Sequence, residues 1–141
     1  MSTTVGCLCG ANQFQLKGSP AAKAYCHCQT CRDMYGGDLL SATAWSSDQL
    51  IWVKQASGTF KHPAKSITRH FCTFCGETLF GINRLGMTVI PNTLLVRNGC
   101  FPNDYSPAFH LFYEQRVINV EDDLPKYVAG WDGPLHTSSC H

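Results

Sequence analysis

The chain has 141 residues, of which 44% are hydrophobic and 15% charged, and a net charge of +1. Those values fit one globular domain with a real core and exclude a disordered chain, and no apolar run approaches the roughly 20 residues of a membrane span. Charge is uneven, with nine Lys/Arg against four acids in residues 1–98 and two against six in 99–141, but no Lys/Arg cluster marks a nucleic-acid surface and no such partner is expected.

Residues 1–5 lack the basic start and apolar middle of a secretory signal, so a soluble, cytoplasmic protein is expected. Nine cysteines could form a disulfide framework in a secreted protein, but the count is odd. The spacings C-x-C, C-x-C-x-x-C and C-x-x-C hold sulfurs too close for most disulfides and suit a metal ion.

In chain order, Gly6-Cys7-Leu8-Cys9-Gly10 opens with glycines that let the backbone turn both sulfurs toward one ion. Residues 12–16 alternate, with Phe14 and Leu16 on one face, and predict a strand closed by Lys17-Gly18-Ser19-Pro20. A second strand over 21–25 delivers Cys26-His27-Cys28-Gln29-Thr30-Cys31, three thiols within six residues. A helical turn over 32–35 ends at Gly36-Gly37. Strands over 39–45, 49–53 and 59–60 then read as a meander.

The alternating stretch 66–71 leads into Cys72-Thr73-Phe74-Cys75-Gly76, where a glycine after the second cysteine permits a positive φ and frees N–H groups to face the sulfurs. Residues 79–82 and 87–90 predict a hairpin, 108–113 and 116–120 the last strands, and 122–125 a single helical turn. Residues 1–132 form one domain on this reading and 133–141 a loose tail. Trp45, Trp52, Phe60 and Phe109 are expected in the core.

The thiol count is four plus three. Four thiolates close a zinc site, whereas three leave one position open to water or substrate, the arrangement that catalysis requires. The competing reading of the Cys26/Cys28/Cys31 loop is a structural knuckle completed by His27, Cys100 or another donor. Cys100 and Cys140 read as a buried thiol and a tail thiol. His27 could donate to a thiolate, shuttle a proton or simply be solvated, and His70 and His110 read as structural histidines with a catalytic alternative. Arg32, Arg69 and Arg97 could grip carboxylates or balance the zinc–thiolates.

The three cysteine segments, in this order and with Arg32 and Arg69-His70-Phe71 beside them, resemble the glutathione-dependent formaldehyde-activating enzymes, a family that includes centromere protein V-like proteins. A weaker match lies in His110-Leu111-Phe112 and Asp123-Leu124-Pro125. The resemblance implies a mainly β fold of stacked antiparallel sheets with zinc knuckles, of the β-tent type. It also implies a structural zinc on Cys7, Cys9, Cys72 and Cys75 and a catalytic zinc on Cys26, Cys28 and Cys31; spacing alone does not pair the clusters. The activity implied is that of a carbon–sulfur lyase, with glutathione and formaldehyde giving S-hydroxymethylglutathione. Residues 94–109 depart from the family pattern, so two rivals stand beside it: the same scaffold acting on another small molecule, and a non-catalytic zinc-stapled binding module.

Overall fold

Alternating side chains build the smaller of two facing layers. In the computed structural model, which describes residues 2–99, 105–130 and 133–135, β2 (Gln13–Lys17) buries Phe14 and Leu16 on the face expected from period-2 patterning. It lies between β1 (Ser2–Gly6) and β5 (Leu50–Lys54), antiparallel to both.

The larger layer comprises β3 (Ala22–Cys26), β4 (Leu40–Trp45), β6 (Ser57–Lys61), β7 (Thr68–Cys72), β8 (Thr78–Ile82), β9 (Thr88–Pro91) and β10 (Phe109–Leu111). Its spatial order is β10-β3-β4-β9-β8-β7-β6. Every ladder is antiparallel except the parallel pairing of β10 with β3. The architecture is therefore mainly β with sheets of antiparallel strands, as the resemblance implies.

Between the layers, Val5, Phe14 and Leu16 meet Trp45, Leu79, Phe80 and Ile90, with Leu94 and Leu95 of α2 (Asn92–Arg97) in the same cluster. Phe14 sits edge-on to Phe80, with ring centroids 5.9 Å apart, and to Trp52 at 5.6 Å. Each such fully buried side chain contributes about 1.5–3 kcal/mol relative to exposure. Cys7 and Cys72 belong to this cluster, so the four-cysteine site grows out of the core.

The structure corrects several local expectations. Residues 39–60 form no meander: β4 lies between β3 and β9, β5 crosses to the small sheet, and β6 returns beside β7. The crossing lets Leu50 and Trp52 pack on the core from the small-sheet side. Residues 116–120 form no strand, since Val117 and Ile118 are exposed and the Arg116 guanidinium folds back over the Tyr113 ring at 4.3 Å. Residues 122–125 are a bend in which Asp122 Oδ1 accepts the Leu124 N–H at 3.1 Å. Phe60 is exposed on an edge strand, under the guanidinium of Arg69. Trp45 is fully buried, while Trp52 and Phe109 are half-buried. No helix among the described residues is long and apolar enough to cross a membrane.

Candidate metal centres

The first centre joins two loops that are 63 residues apart. Cys7 and Cys9 follow β1, Cys72 ends β7 and Cys75 lies in the turn beyond it; the four Sγ atoms all lie within 4.8 Å of one another. Neighbouring sulfurs stand 3.7 Å apart for Cys7–Cys9 and 3.5 Å for Cys9–Cys72. A tetrahedron with Zn–S bonds of about 2.3 Å has edges of about 3.8 Å, so the cage is close to ligand size.

Each loop aims backbone N–H groups at sulfur. Asn12 N–H donates to Cys7 at 3.3 Å, and the Phe74 and Cys75 N–H groups to Cys72 at 3.4 Å each. Gly76 takes a φ of 77° and returns its N–H to the Cys72 carbonyl at 2.9 Å, as expected for the glycine after the second cysteine. Burial pushes the Cys72 thiol up, but these N–H groups and the neighbouring sulfurs bring it down to about 6. Cys7 is likewise lowered, whereas at Cys9 the Ala11 N–H is outweighed by desolvation and the neighbouring sulfurs, which push that thiol up to about 11.

The second centre lies where β3 ends. Cys26 is its last residue, Cys28 is the N-cap of α1 (Gln29–Tyr35), and Cys31 stands in the first turn, its N–H donating to Cys28 Sγ at 3.2 Å. The three sulfurs lie 3.4 Å (Cys26–Cys28) and 3.2 Å (Cys26–Cys31) apart, and among the described residues no fourth His, Cys, Asp or Glu joins them. The thiols form a proton relay in which Cys31 donates to Cys26 and Cys26 to Cys28; the neighbouring sulfurs hold Cys28 down at about 3, while Cys28 raises Cys26 to about 12 and Cys26 raises Cys31. A metal ion would take the place of those protons.

Two clusters able to bind metal ions are thus present, each made of the cysteines expected. Cys100 and Cys140 lie outside the described residues. His27 is fully buried but turns away from the sulfurs, its Nε2 2.8 Å from His110 Nδ1. His70 stacks on Phe80 at 4.7 Å, away from this pair, and burial lowers its pKa.

The arginines are committed within the protein. Arg32 donates to the carbonyls of His27 and Gln115 and to Gln29 Oε1, tying the three-thiol loop to the Tyr113–Gln115 turn. Arg69 donates to the Met34 carbonyl, and Arg97 pairs with Glu77.

Sequence reasoning missed four residues. Asn12 and Glu77 bind the two halves of the first centre together; Glu77 accepts the Leu8 N–H at 2.9 Å. Asp122 accepts from His110, and Tyr35 anchors α1 by donating to the Val89 carbonyl at 2.8 Å. Only Asn12, five residues after Cys7 in a glycine-bounded loop, carried a local signal.

A cleft of about 370 Å³ is lined by residues next to both centres, and none of the seven described cysteines is among them. Its walls include Leu40, the ladder partner of Cys26, Tyr35, one turn beyond Cys31, and Glu77 of the first centre, together with the hydroxyl residues Ser41, Thr78 and Thr93.

A family model described as glutathione-dependent formaldehyde-activating enzyme matches residues 2–115. Among solved structures, the chain is similar to a Rhodobacter sphaeroides protein at 20% identity, with 75% of this chain and 95% of that chain covered and a TM-score of 0.54. That likeness shows the fold alone. A comparison with curated proteins finds no match.

Proposed function

The chain belongs to the glutathione-dependent formaldehyde-activating enzyme family, and on that premise we propose that it joins a thiol to a small aldehyde at the three-thiol centre. Glutathione and formaldehyde are the default pair and S-hydroxymethylglutathione the product, a reaction that in reverse is a carbon–sulfur lyase step. The observation that carries this reading is the contrast between the centres: four sulfurs close one, whereas among the described residues the other has three and no fourth donor.

On this reading Cys7, Cys9, Cys72 and Cys75 hold a structural zinc, and Cys26, Cys28 and Cys31 hold a second. Zinc bound by three thiolates supplies one open position and lowers the pKa of a thiol that reaches it. The protein's own residues do the remaining work. Cys26 is fixed by the β3–β4 ladder and Cys28 and Cys31 by the first turn of α1, so the donor set is preorganised. The cleft beside Leu40 and Tyr35 would receive the rest of the thiol. The thiol gives up its proton, sulfur forms a bond to the aldehyde carbon, and the carbonyl oxygen takes a proton to become hydroxyl. The uncombined thiols suit a reducing, cytoplasmic setting.

One observation favours the same scaffold acting on a different small molecule. Arg32 and Arg97, two candidates for gripping the carboxylates of glutathione, are already bonded within the protein. Turnover measured over a grid of thiols and aldehydes separates the readings. The default requires both glutathione and formaldehyde; turnover with neither thiol nor aldehyde removes it.

A further inference from the structure

Behind the three-thiol loop a chain of polar groups runs from the surface into the interior. Asp122 Oδ2 lies 2.8 Å from His110 Nε2, and His110 Nδ1 lies 2.8 Å from Nε2 of His27, the residue between Cys26 and Cys28. Both rings are fully buried. Tyr25 stacks on His110 at 4.8 Å, and Tyr113 meets both rings edge-on. The β3–β10 pairing brings the pieces together: Cys26 is the register partner of Leu111, and the His27 N–H donates to the Leu111 carbonyl at 3.0 Å.

The chain has one polarity. The Asp122 carboxylate is also bonded by Lys126 Nζ at 2.7 Å and by the Leu124 N–H, and as an ionised group it can only accept. His110 must therefore carry its proton on Nε2. With His110 neutral, its one N–H goes to Asp122, so Nδ1 accepts and His27 donates from Nε2. His27 Nδ1, which has no hydrogen-bond partner among the described residues, is then a bare lone pair.

We propose that Asp122 and His110 are positioning residues: by fixing the tautomer and ring plane of His27, they hold Cys26 and Cys28 at the separation a metal ion requires. The inference rests on the reading of this loop as a metal centre. Its logic is that of an outer hydrogen-bond shell that orients metal ligands, except that the oriented residue is bracketed by the ligands instead of being one. His27 has no freedom to rotate without breaking the bond to His110, and Arg32 clamps its carbonyl from the other side. The two constraints fix the Cys26–Cys28 segment from side chain and main chain together.

The test uses the full chain loaded with zinc, with the four-cysteine centre as internal reference. Asp122 is 28% exposed, so Asp122→Leu removes the acceptor without opening a core cavity, and Lys126→Met removes the ammonium while keeping the carboxylate. Asp122→Leu is expected to release one of two zinc ions to a chelator on the order of tenfold faster, while the other ion and the melting cooperativity stay unchanged; Lys126→Met retains both. Histidine 15N shifts of the wild-type protein give an independent readout: His27 and His110 are both Nε2–H tautomers. If the wild type binds one zinc only, the metal reading of the loop fails, and the tautomers then decide the positioning chain. Nδ1–H on His27, unchanged tautomers in Asp122→Leu, or equal zinc retention by a two-zinc wild type and Asp122→Leu overturns the proposal.

Discussion

Asn12 and Ala56 exchange two hydrogen bonds: the side-chain oxygen of Asn12 accepts the Ala56 N–H at 2.7 Å, and its amide donates to the Ala56 carbonyl at 3.3 Å. Thr73 bonds the same carbonyl through its N–H and its hydroxyl. The two halves of the four-cysteine centre therefore share one backbone peptide as a common post. Asn12 is itself buried and donates to Cys7. Asn12→Ala is expected to cost about 1–3 kcal/mol, because it leaves the part-buried Ala56 N–H without its acceptor while Thr73 still serves the carbonyl, and to lower the melting temperature together with retention of the metal at this centre. Denaturant unfolding with metal analysis checks both.

The two cysteine groups should respond differently to loss of one sulfur. Cys7 and Cys72 sit in the core cluster, and metal-binding energy at such a closed site is folding energy. Cys7→Ser and Cys72→Ser are expected to prevent cooperative folding, whereas Cys28→Ser leaves a cooperative melt and removes one metal ion per chain. Thermal melts paired with metal content distinguish these outcomes, and soluble, cooperatively melting Cys72→Ser with full metal content contradicts the assignment.

Gly81 makes room for α1. A Cβ at that position would stand 2.4 Å from Tyr35 Oη and 3.2 Å from the ring carbon beside it. Gly81→Ala is expected to destabilise the protein by about 1–3 kcal/mol through overpacking and, because Cys31 rides on the same helix, to loosen the three-thiol centre. Adding Tyr35→Phe removes the clashing oxygen but also its bond to the Val89 carbonyl, so the double variant recovers part of the loss. Melting curves of the single and double variants read this directly.

The Asp122–Lys126 pair predicts a pH window. Burial raises the Asp122 carboxyl, but Lys126, His110 and the Leu124 N–H outweigh it and bring it down to about 2, below the ordinary value of 3.8. A depressed carboxyl stabilises the fold above its unfolded value, and that stability is lost as pH falls through the folded value. The difference in stability between wild type and Lys126→Met is therefore present at about 0.5–1 kcal/mol at neutral pH and shrinks as pH drops from about 4 toward 2. A difference that stays constant over that window contradicts the assignment.

Local chemistry was legible where one segment contains its own reason. The alternation of Phe14 and Leu16, the glycine after Cys75 and the three thiols after β3 all stand in the structure as read from sequence. Long-range partnerships were not. Nothing in 49–53 distinguishes a strand that continues the large sheet from one that crosses to the small one, because the choice rests on Leu50 and Trp52 meeting Phe14 and Leu16 from a distant stretch. Val117 and Ile118 suggested a strand by composition, yet no strand among the described residues pairs with them, and they stay exposed. The Asp122–His110–His27 chain joins residues 95 positions apart, through the parallel β3–β10 pairing, for which local periodicity holds no signal.

The central claim is that Cys26, Cys28 and Cys31 present an incomplete thiolate shell that a thiol substrate completes. Replacing the native metal with cobalt makes each added sulfur visible in the absorption bands. Millimolar glutathione, or another small thiol, is expected to shift the bands of the wild-type protein and leave those of Cys28→Ser unchanged. A wild-type spectrum indifferent to every thiol, or a Cys28→Ser variant that responds equally, contradicts the claim.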